Sequence, residues 1–457
     1  MVYFHGGGDM MFSISVPPQV STVLDRLNEG GFEAYLVGGC VRDALMGREP
    51  HDFDVTTSAL PKETSKVFRK MPVIKTGIKH GTVMVLSQKM PVEVTTFRAD
   101  GEYLDNRRPE SVTFVPDLES DLSRRDFTVN AMAWSRERGV VDLFGGREDL
   151  KNGIIRCVGD PEKRFNEDGL RIMRALRFAS RLGFEIEPAT AAAIHAQSHL
   201  LKNISAERLF MELKGLLLGD GVEKVLNEFG DVLFRFLPEL EPMSVTPQNN
   251  PHHFLDVWHH TSMSVGAAKQ DHITRLTMLF HDSGKPACHT VDANGIDHFH
   301  GHPKVGAEIA ETCLMRLKSD KRTRNAVILL TKKHDVFFPK SERRVRRAIV
   351  EIGEENFLRL MDVKRADAAA HVPESRDGLL REVERVEEIY RTMKRENACM
   401  SLKELAVNGR DLISIGAKKG EQVGKLLAML FDKACIGELA NDREILLTAA
   451  KKYLTLL

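Results

Sequence analysis

Cysteine is scarce in this chain of 457 residues: there are six, Cys40, Cys157, Cys288, Cys313, Cys399 and Cys435, scattered and with no CxxC pair. That spacing argues against a zinc ribbon and for a reducing compartment, the cytoplasm. No apolar run reaches the ~18 residues of a membrane span. The opening residues, MVYFHGGGDMMFSISVPPQ, lack a basic segment followed by a long apolar one, so they do not read as a secretory signal, and Met11 opens a more ordinary N-terminus. Net charge is absent as well, with 65 basic residues against 65 acidic. A nucleic-acid partner would have to be held by local basic patches, not by an overall positive field. Internal repeats and low-complexity stretches are missing.

What is present is the composition of a soluble globular protein, 42% hydrophobic and 28% charged, in a chain long enough for about three domains at ~150 residues each. Its texture changes along its length. Val20 to Leu27 has helical spacing, whereas AYLVGG, DFDVTT, GTVMVL and VEVTTF are strand-length β-branched or apolar runs. From Glu167 the pattern turns helical almost to the end, as in LRIMRALRFASRL, AERLFMELKGLLLG and VGKLLAMLFDKA. A mixed α+β head followed by an all-helical body is the expected architecture.

The head carries a constellation suited to nucleotidyl transfer. Gly38 and Gly39 follow a strand and precede a helix with Arg42. Backbone amides at such a turn can approach a triphosphate closely, because glycine has no Cβ, though a glycine pair is also simply a tight turn. Asp52 and Asp54 flank Phe53, and residues i and i+2 of a strand share a face. Two carboxylates side by side repel unless a cation lies between them, and magnesium, which takes carboxylates plus substrate phosphates, suits the place. Glu93 is a possible third carboxylate. Arg124, Arg125 and Asp126 can grip phosphate, the acid holding one guanidinium in place; a surface ion pair is the plainer reading. Thr128 and Asn130 are either ribose-orienting or turn-forming.

In NEDGLRIMRALRF, residues 166 to 178, Asn166 reads as an N-cap with Glu167 and Asp168 in the first turn. Asp168 and Arg171 at i, i+3 share a face, and Arg174 and Arg177 continue the interval. A carboxylate only accepts hydrogen bonds and a guanidinium only donates. Cytosine and adenine both present an amine beside an acceptor nitrogen, whereas uracil and guanine present the reverse polarity. An Asp–Arg pair facing the base would therefore accept C and A and reject U and G.

Together LVGGCVRDALMG, HDFDVTT, TFRADGEYLDNRRPESVTFV, SRRDFTVNAMA and NEDGLRIMRALRF, in that order over about residues 34 to 185, resemble the class II tRNA nucleotidyltransferase and bacterial poly(A) polymerase family. The resemblance implies a polymerase-beta-like nucleotidyltransferase head over 18–155, a helical neck over 156–245, a body over 246–372 and a tail over 373–457. It implies magnesium on Asp52 and Asp54. Nucleotide contacts follow for Gly39, Arg42, Arg125, Arg174 and Arg177, and base reading for Asp168 and Arg171. The implied reaction is template-independent addition of CCA to tRNA from CTP and ATP, with poly(A) addition as the alternative. The segment Arg98 to Val115, with Asp100, Arg107, Arg108 and Pro109, favours full CCA addition, since enzymes adding only CC tend to lack an intact loop there. NGRDLISIGAKKGEQVGKLL in the tail is similar to the C-terminal region of the Gram-positive members. The basic run KSERRVRRA, Lys340 to Ala348, is either an RNA backbone contact or a solvated helix face. No membrane or protein partner is indicated.

Ten of the 17 histidines fall between His252 and His302. His260, His281 with Asp282, and Asp367 resemble the HD metal-phosphohydrolase superfamily, and His302 and His334 add two candidate ligands. Imidazole and carboxylate together suit a divalent transition metal. The resemblance implies removal of phosphomonoesters or cyclic phosphates from RNA 3′ ends. A chain that is chiefly such a hydrolase with an RNA-binding head, or a non-catalytic RNA-binding protein, is the competing class; intact Asp52, Asp54, Asp168 and Arg171 argue against both.

Overall fold

The computed structural model describes residues 14–50, 52–75, 77–100, 112–396 and 398–454. It forms two compact units that meet in sequence between Pro238 and Glu239. Among the described residues no helix is long and apolar enough to cross a membrane, and all six thiols are free.

Among the described residues the first unit opens with nine strands: β1 Ala34–Val37, β2 Asp54–Thr57, β3 Val73–Ile74, β4 Thr82–Ser87, β5 Met90–Thr96, β6 Arg98–Asp100, β7 Val112–Phe114, β8 Met132–Ser135 and β9 Gly139–Asp142. Seven form one mixed sheet in the order β3-β4-β5-β2-β1-β8-β9. Only β2 and β5 in it are parallel. The remaining two, β6 and β7, pair with each other. Both faces of the sheet are covered, so the inner strand β1 is buried throughout. Its alternation sends Ala34 and Leu36 to one core and Tyr35 and Val37 to the other. The helix Pro18–Glu29 closes the first core with Val20, Val23, Leu24 and Leu27, the i, i+3, i+4, i+7 stripe that packs one helical face. On the other side Phe97, Leu118 and Leu122 cover Val37.

Helices take over after the sheet. Leu170–Leu182 buries Leu170, Ile172, Met173, Leu176 and Ala179, and Ala206–Leu217 packs beside it. Gly215 permits that approach, since a Cβ there would meet the Arg177 Cδ at 2.4 Å. A minor parallel strand pair, Ile154–Ile155 with Glu185–Ile186, lies among these helices.

Among the described residues the second unit is helical apart from one short hairpin, Thr290–Val291 with Asp297–His298. Helices Val257–Ala267, His272–Phe280, His302–Arg316, Lys321–Lys333 and Glu354–Ala369 pack on one another. The last segment has its own apolar cluster, in which Leu405, Leu412, Leu426, Leu430, Leu446 and Ala450 are buried. In the basic run Arg343 pairs with Glu438, Arg346 with Glu342 and Glu396, and Arg347 with Asp432. Three of its arginines are thus engaged within the helical unit.

Candidate functional site

Asp52 precedes β2 and Asp54 opens it, while Phe53 between them is buried. Both acids are open to solvent, so the alternation read from DFDVTT holds. The parallel pairing of β2 with β5 sets Glu93 beside Asp54. Lost solvation, then the neighbouring acid, raises both carboxyls: Asp52 acts on Asp54, and Asp54 acts on Glu93. Arg125 pulls Asp54 the other way. A group of carboxylate oxygens in which Asp52 raises Asp54 and Asp54 raises Glu93 fits a hard divalent cation such as magnesium.

Arg125 is not held by the acid next to it. Asp121, fully buried, takes both arginines: Arg124 at 2.8 Å and Arg125 at 3.3 Å. It also accepts from the Thr56 hydroxyl at 3.1 Å, which fixes it to β2. Asp126 turns instead to the helix Leu170–Leu182, where it accepts from Arg174 Nε at 2.7 Å. Desolvation works against the charge on Asp126, but Arg174, Arg171 and Asn130 together hold the carboxyl below its ordinary value. Asn130 links the two ends of this network, accepting from Arg42 at 2.7 Å and donating to Asp126 at 3.3 Å. Thr128 is spent on buried Asp149, to which it donates at 2.6 Å.

At the glycine turn, Gly38 rather than Gly39 requires glycine. Its φ is +74°, and a Cβ there would sit 3.2 Å from the Arg125 guanidinium. Gly39 begins the helix Gly39–Leu45, which carries Arg42. Three arginines stand over one ring: Arg42, Arg174 and Arg177 lie 5.4, 5.3 and 4.4 Å from the centre of Phe178. Phe178 reads as one more apolar helix position in the sequence, and nothing in the spacing marks it as the place where these cations gather.

The EDGLR segment departs from the expected continuous helix. Pro161–Glu167 is a separate helix, and Asp168 ends it in an extended conformation (φ −139°, ψ 104°). The next helix starts at Leu170 with Gly169 as its N-cap. Asn166 is therefore not a cap; its side chain donates to the Glu162 carbonyl within the preceding helix. Asp168 accepts from the Leu170 amide at 3.0 Å and pairs with Arg208 at 3.0 Å. An Asp that bonds the amide two residues on favours a break over a continuing helix. Arg171 is largely buried and donates to Glu167 at 2.7 Å and to the Arg124 carbonyl at 2.9 Å. Arg177 pairs with Glu212 at 2.5 Å. The arginines of this helix and of the RRD segment thus form one cationic region in the same unit as the three carboxylates. Arg107, Arg108 and Pro109 lie outside the described residues, between β6, which bears Arg98 and Asp100, and β7.

The second unit gathers the predicted histidines. His260 lies on Val257–Ala267, His281 and Asp282 follow His272–Phe280, and Asp367 is on Glu354–Ala369. His260 Nε2 stands 3.0 Å from Asp367 and 3.5 Å from Asp282, and His281 Nε2 stands 3.3 Å from Asp282. His302 and His334 approach the same Asp282 at 3.4 and 3.8 Å. Sequence reasoning missed His253 and His371, whose rings lie 4.4 Å apart beside His260, and buried Lys285, 2.7 Å from Asp282. Burial disfavours charge on the rings of His253, His260, His281 and His334. It wins at His334, pushed down to about 3, with help from His281. At His281 Asp282 and Asp367 together override it and push the ring up to about 10. Asp282 and Asp367 stay well below the ordinary carboxylate range despite burial, through His281 with Lys285 and through His260 with His281 respectively. Imidazoles converging with two carboxylates are a donor set for a divalent transition metal.

Residues 34–156 match the family model of the poly A polymerase head domain, 183–243 that of the probable RNA and SrmB-binding site of polymerase A, and 303–450 that of the putative tRNA nucleotidyltransferase domain 2. The chain is 34% identical to the CCA-adding enzyme of Ligilactobacillus salivarius over 94% of its own length and 95% of that protein's. It is 36% identical to that of Limosilactobacillus fermentum over 94% and 96%. The crystal structure of the Bacillus stearothermophilus CCA-adding enzyme in complex with CTP superposes with a TM-score of 0.69 at 30% identity, covering 96% of this chain and 99% of that one. A Thermotoga maritima CCA-adding enzyme complexed with tRNA shares the fold, with a TM-score of 0.56 at 20% identity over 96% of each chain. With this identity carried along nearly its whole length, the chain belongs to the family of CCA-adding enzymes, the tRNA nucleotidyltransferases.

Proposed function

We propose that this chain adds CCA to the 3′ end of tRNA in the cytoplasm, taking CTP and ATP without a nucleic-acid template. The observation that carries the reading is the carboxylate group on β2 and β5 facing Arg125. The family's chemistry implies a divalent metal, here magnesium on Asp52 and Asp54. When bound, it would activate the attacking 3′ hydroxyl and offset charge on the departing pyrophosphate. The chain's own residues do the rest. Gly39, Arg42 and Arg125 receive the triphosphate, with Arg42 and Arg125 oriented by Asn130 and Asp121. Arg174 and Arg177 support the nucleotide from the neck helix. Asp168 and Arg171, set at the break between two helices, read the pairing edge of C or A by acceptor and donor polarity. The names of the full-length relatives favour CCA over poly(A) addition. Asp52→Ala and Asp54→Ala should each abolish incorporation of both CTP and ATP without loss of fold. Near-normal incorporation by either variant would contradict the assignment.

The histidine cluster supports a second, separate activity, hydrolysis of a phosphomonoester or a 2′,3′-cyclic phosphate at an RNA 3′ end. His260, His281, Asp282 and Asp367 would hold a divalent transition metal, which supplies a Lewis acid for phosphate and lowers the pKa of water. Water adds to phosphorus, the P–O bond breaks and the water's proton passes to the leaving oxygen. Release of phosphate, or opening of the cyclic ester, tested with magnesium, manganese, nickel and cobalt in turn, checks it. No hydrolysis with any of the four would withdraw it.

A further inference from the structure

Phe178 gathers three guanidinium groups on its ring from two distant segments of the chain. Arg42 comes from the helix Gly39–Leu45, and Arg174 and Arg177 from the helix Leu170–Leu182 that carries Phe178 itself. Arg174 is four residues before the ring and shares its helix face. Arg177 is the adjacent residue, whose side chain ordinarily leaves on another face. Its guanidinium nevertheless lies nearest, 4.4 Å from the ring centre, against 5.4 Å for Arg42 and 5.3 Å for Arg174. Two features bring it there. Glu212 accepts from its Nε at 2.5 Å. Gly215 leaves room for its stem, since a Cβ at that position would meet Arg177 Cδ at 2.4 Å and Cγ at 3.1 Å.

The groups are layered from the core outward. Phe178 is 8% exposed, and Phe127 is set edge-on to it, with 5.8 Å between ring centres and 78° between planes. The side chains over the ring are more open, 34% exposed for Arg174 and 25% for Arg177. Each arginine also has one acid: Asp43 for Arg42 at 2.7 Å, Asp126 for Arg174 at 2.6 Å and Glu212 for Arg177.

An acid and a ring hold an arginine in different ways. A carboxylate cancels the charge that it fixes. The face of an aromatic ring attracts a cation through its quadrupole and carries no net charge, so the guanidinium keeps its charge for an incoming anion. Burial at an apolar helix position accounts for a large hydrophobic side chain here. It does not by itself bring three mutually repelling cations to one ring.

We propose that Phe178 is a positioning residue for nucleotide addition, its ring preorganising Arg42, Arg174 and Arg177 as one cationic platform for the triphosphate that CTP and ATP share. This rests on the proposed reading in which Arg42 receives the triphosphate while Arg174 and Arg177 support the nucleotide. With the ring in place the three side chains are ordered before the ligand arrives, and binding bears less of the ordering cost. Without it each guanidinium is left to its own acid, and the triphosphate has to draw all three together. The platform acts on the phosphate end alone, so the choice of base stays with Asp168 and Arg171.

The test replaces Phe178 in the full chain by phenylalanines whose rings bear one, two and five fluorines. Fluorination keeps the ring nearly the same shape while it weakens and finally reverses the charge of its face. Phe178→Leu is made beside them and keeps apolar bulk without a π-face. Inorganic tripolyphosphate with magnesium, which has no base, is the binding probe and is followed by calorimetry. KM and kcat for CTP and ATP are measured on a truncated tRNA, and folding by urea denaturation. The dissociation constant of tripolyphosphate and KM for both nucleotides should rise together with each added fluorine, reaching roughly three- to tenfold with five. We expect kcat, KM for tRNA and selectivity against UTP to stay unchanged. Phe178→Leu should match the fully fluorinated ring; if it misfolds, the ring with one fluorine, which disturbs packing least, still shows the first step of the series. Constant tripolyphosphate affinity across the folded series would overturn the platform and leave CCA addition standing. Graded tripolyphosphate binding in a chain whose parent adds neither C nor A would uphold the platform and defeat the proposed reaction. A change confined to kcat or to KM for tRNA would make Phe178 a packing residue only and overturn the proposal.

Discussion

Asp121 holds Arg125 at 3.3 Å from a fully buried position, although Asp126 is the acid adjacent to Arg125 in the chain. One carboxylate binds both arginines of the RRD segment and the Thr56 hydroxyl on β2, so it ties the proposed triphosphate contacts to the strand bearing Asp54. Asp121→Asn should therefore act on catalysis through position. We expect KM for both CTP and ATP to rise together, with the choice between them and UTP unchanged, and stability to fall by about 3 kcal/mol for a broken buried pair. Steady-state kinetics beside urea denaturation check this. Unchanged KM values in a destabilised protein would leave Asp121 a purely structural residue.

Asp168 pairs with Arg208 at 3.0 Å and is held by the Leu170 amide. Asp168→Ala should lose discrimination against UTP, by about 1–3 kcal/mol for a lost bidentate base contact. Arg208→Ala should weaken the same selectivity less, because it frees the carboxylate without removing it. The measurement is kcat/KM for CTP and UTP on one truncated tRNA. Full CTP-over-UTP selectivity in Asp168→Ala would mean that Asp168 does not read the base.

Much of this site is legible in residue order, and its omissions have physical causes. The alternation in DFDVTT places Asp52 and Asp54 together because a strand's period is two regardless of context. The helix spacing from Asn166 misleads because an i, i+3 count assumes unbroken helix. Asp168 instead bonds the Leu170 amide and breaks the helix ahead of Gly169. Asp121 is invisible for another reason: its partners are three and four residues on, a spacing that any surface helix pair shares. The gathering of Arg42, Arg174 and Arg177 over Phe178 joins segments more than 130 residues apart, beyond the reach of local spacing. In the second unit the HD pair is visible in sequence, but the orientation of the His260, His281, His302 and His334 rings depends on backbone carbonyls that only the fold supplies.

Glu239 gives a stability prediction for the second unit. It pairs with both terminal nitrogens of Arg316, at 2.5 and 2.6 Å. Hydrogen bonds from Arg316 bring its carboxyl down to about 2 from an ordinary 4.5. The folded value is the lower one, so the contribution is full above pH 4.5 and is lost as pH falls toward 2. Allowing for the exposure of the pair, it is worth about 1–2 kcal/mol at neutral pH. Glu239→Gln should lower the melting temperature at pH 7, and the difference from the parent should shrink steadily below pH 4.5. A difference that stayed constant down to pH 3 would contradict the ion-pair origin.

The two proposed chemistries should be removable one at a time, since no residue is shared between their sites. His281→Ala with Asp282→Ala should eliminate metal-stimulated hydrolysis and leave CTP and ATP incorporation intact. Asp54→Ala should do the reverse. Both assays are run on both variants, with folding followed by circular dichroism. Loss of polymerisation in a folded histidine variant would defeat the two-site picture.

The central claim is template-independent CCA synthesis, and the most direct test is to sequence the product made on a tRNA lacking its last three nucleotides. The protein is incubated with magnesium and each nucleoside triphosphate alone, then with CTP and ATP together. The account predicts two C residues from CTP alone, nothing from UTP or GTP, and a single added CCA that stops there when both substrates are present. A long A tail from ATP, or indiscriminate use of UTP, would contradict it.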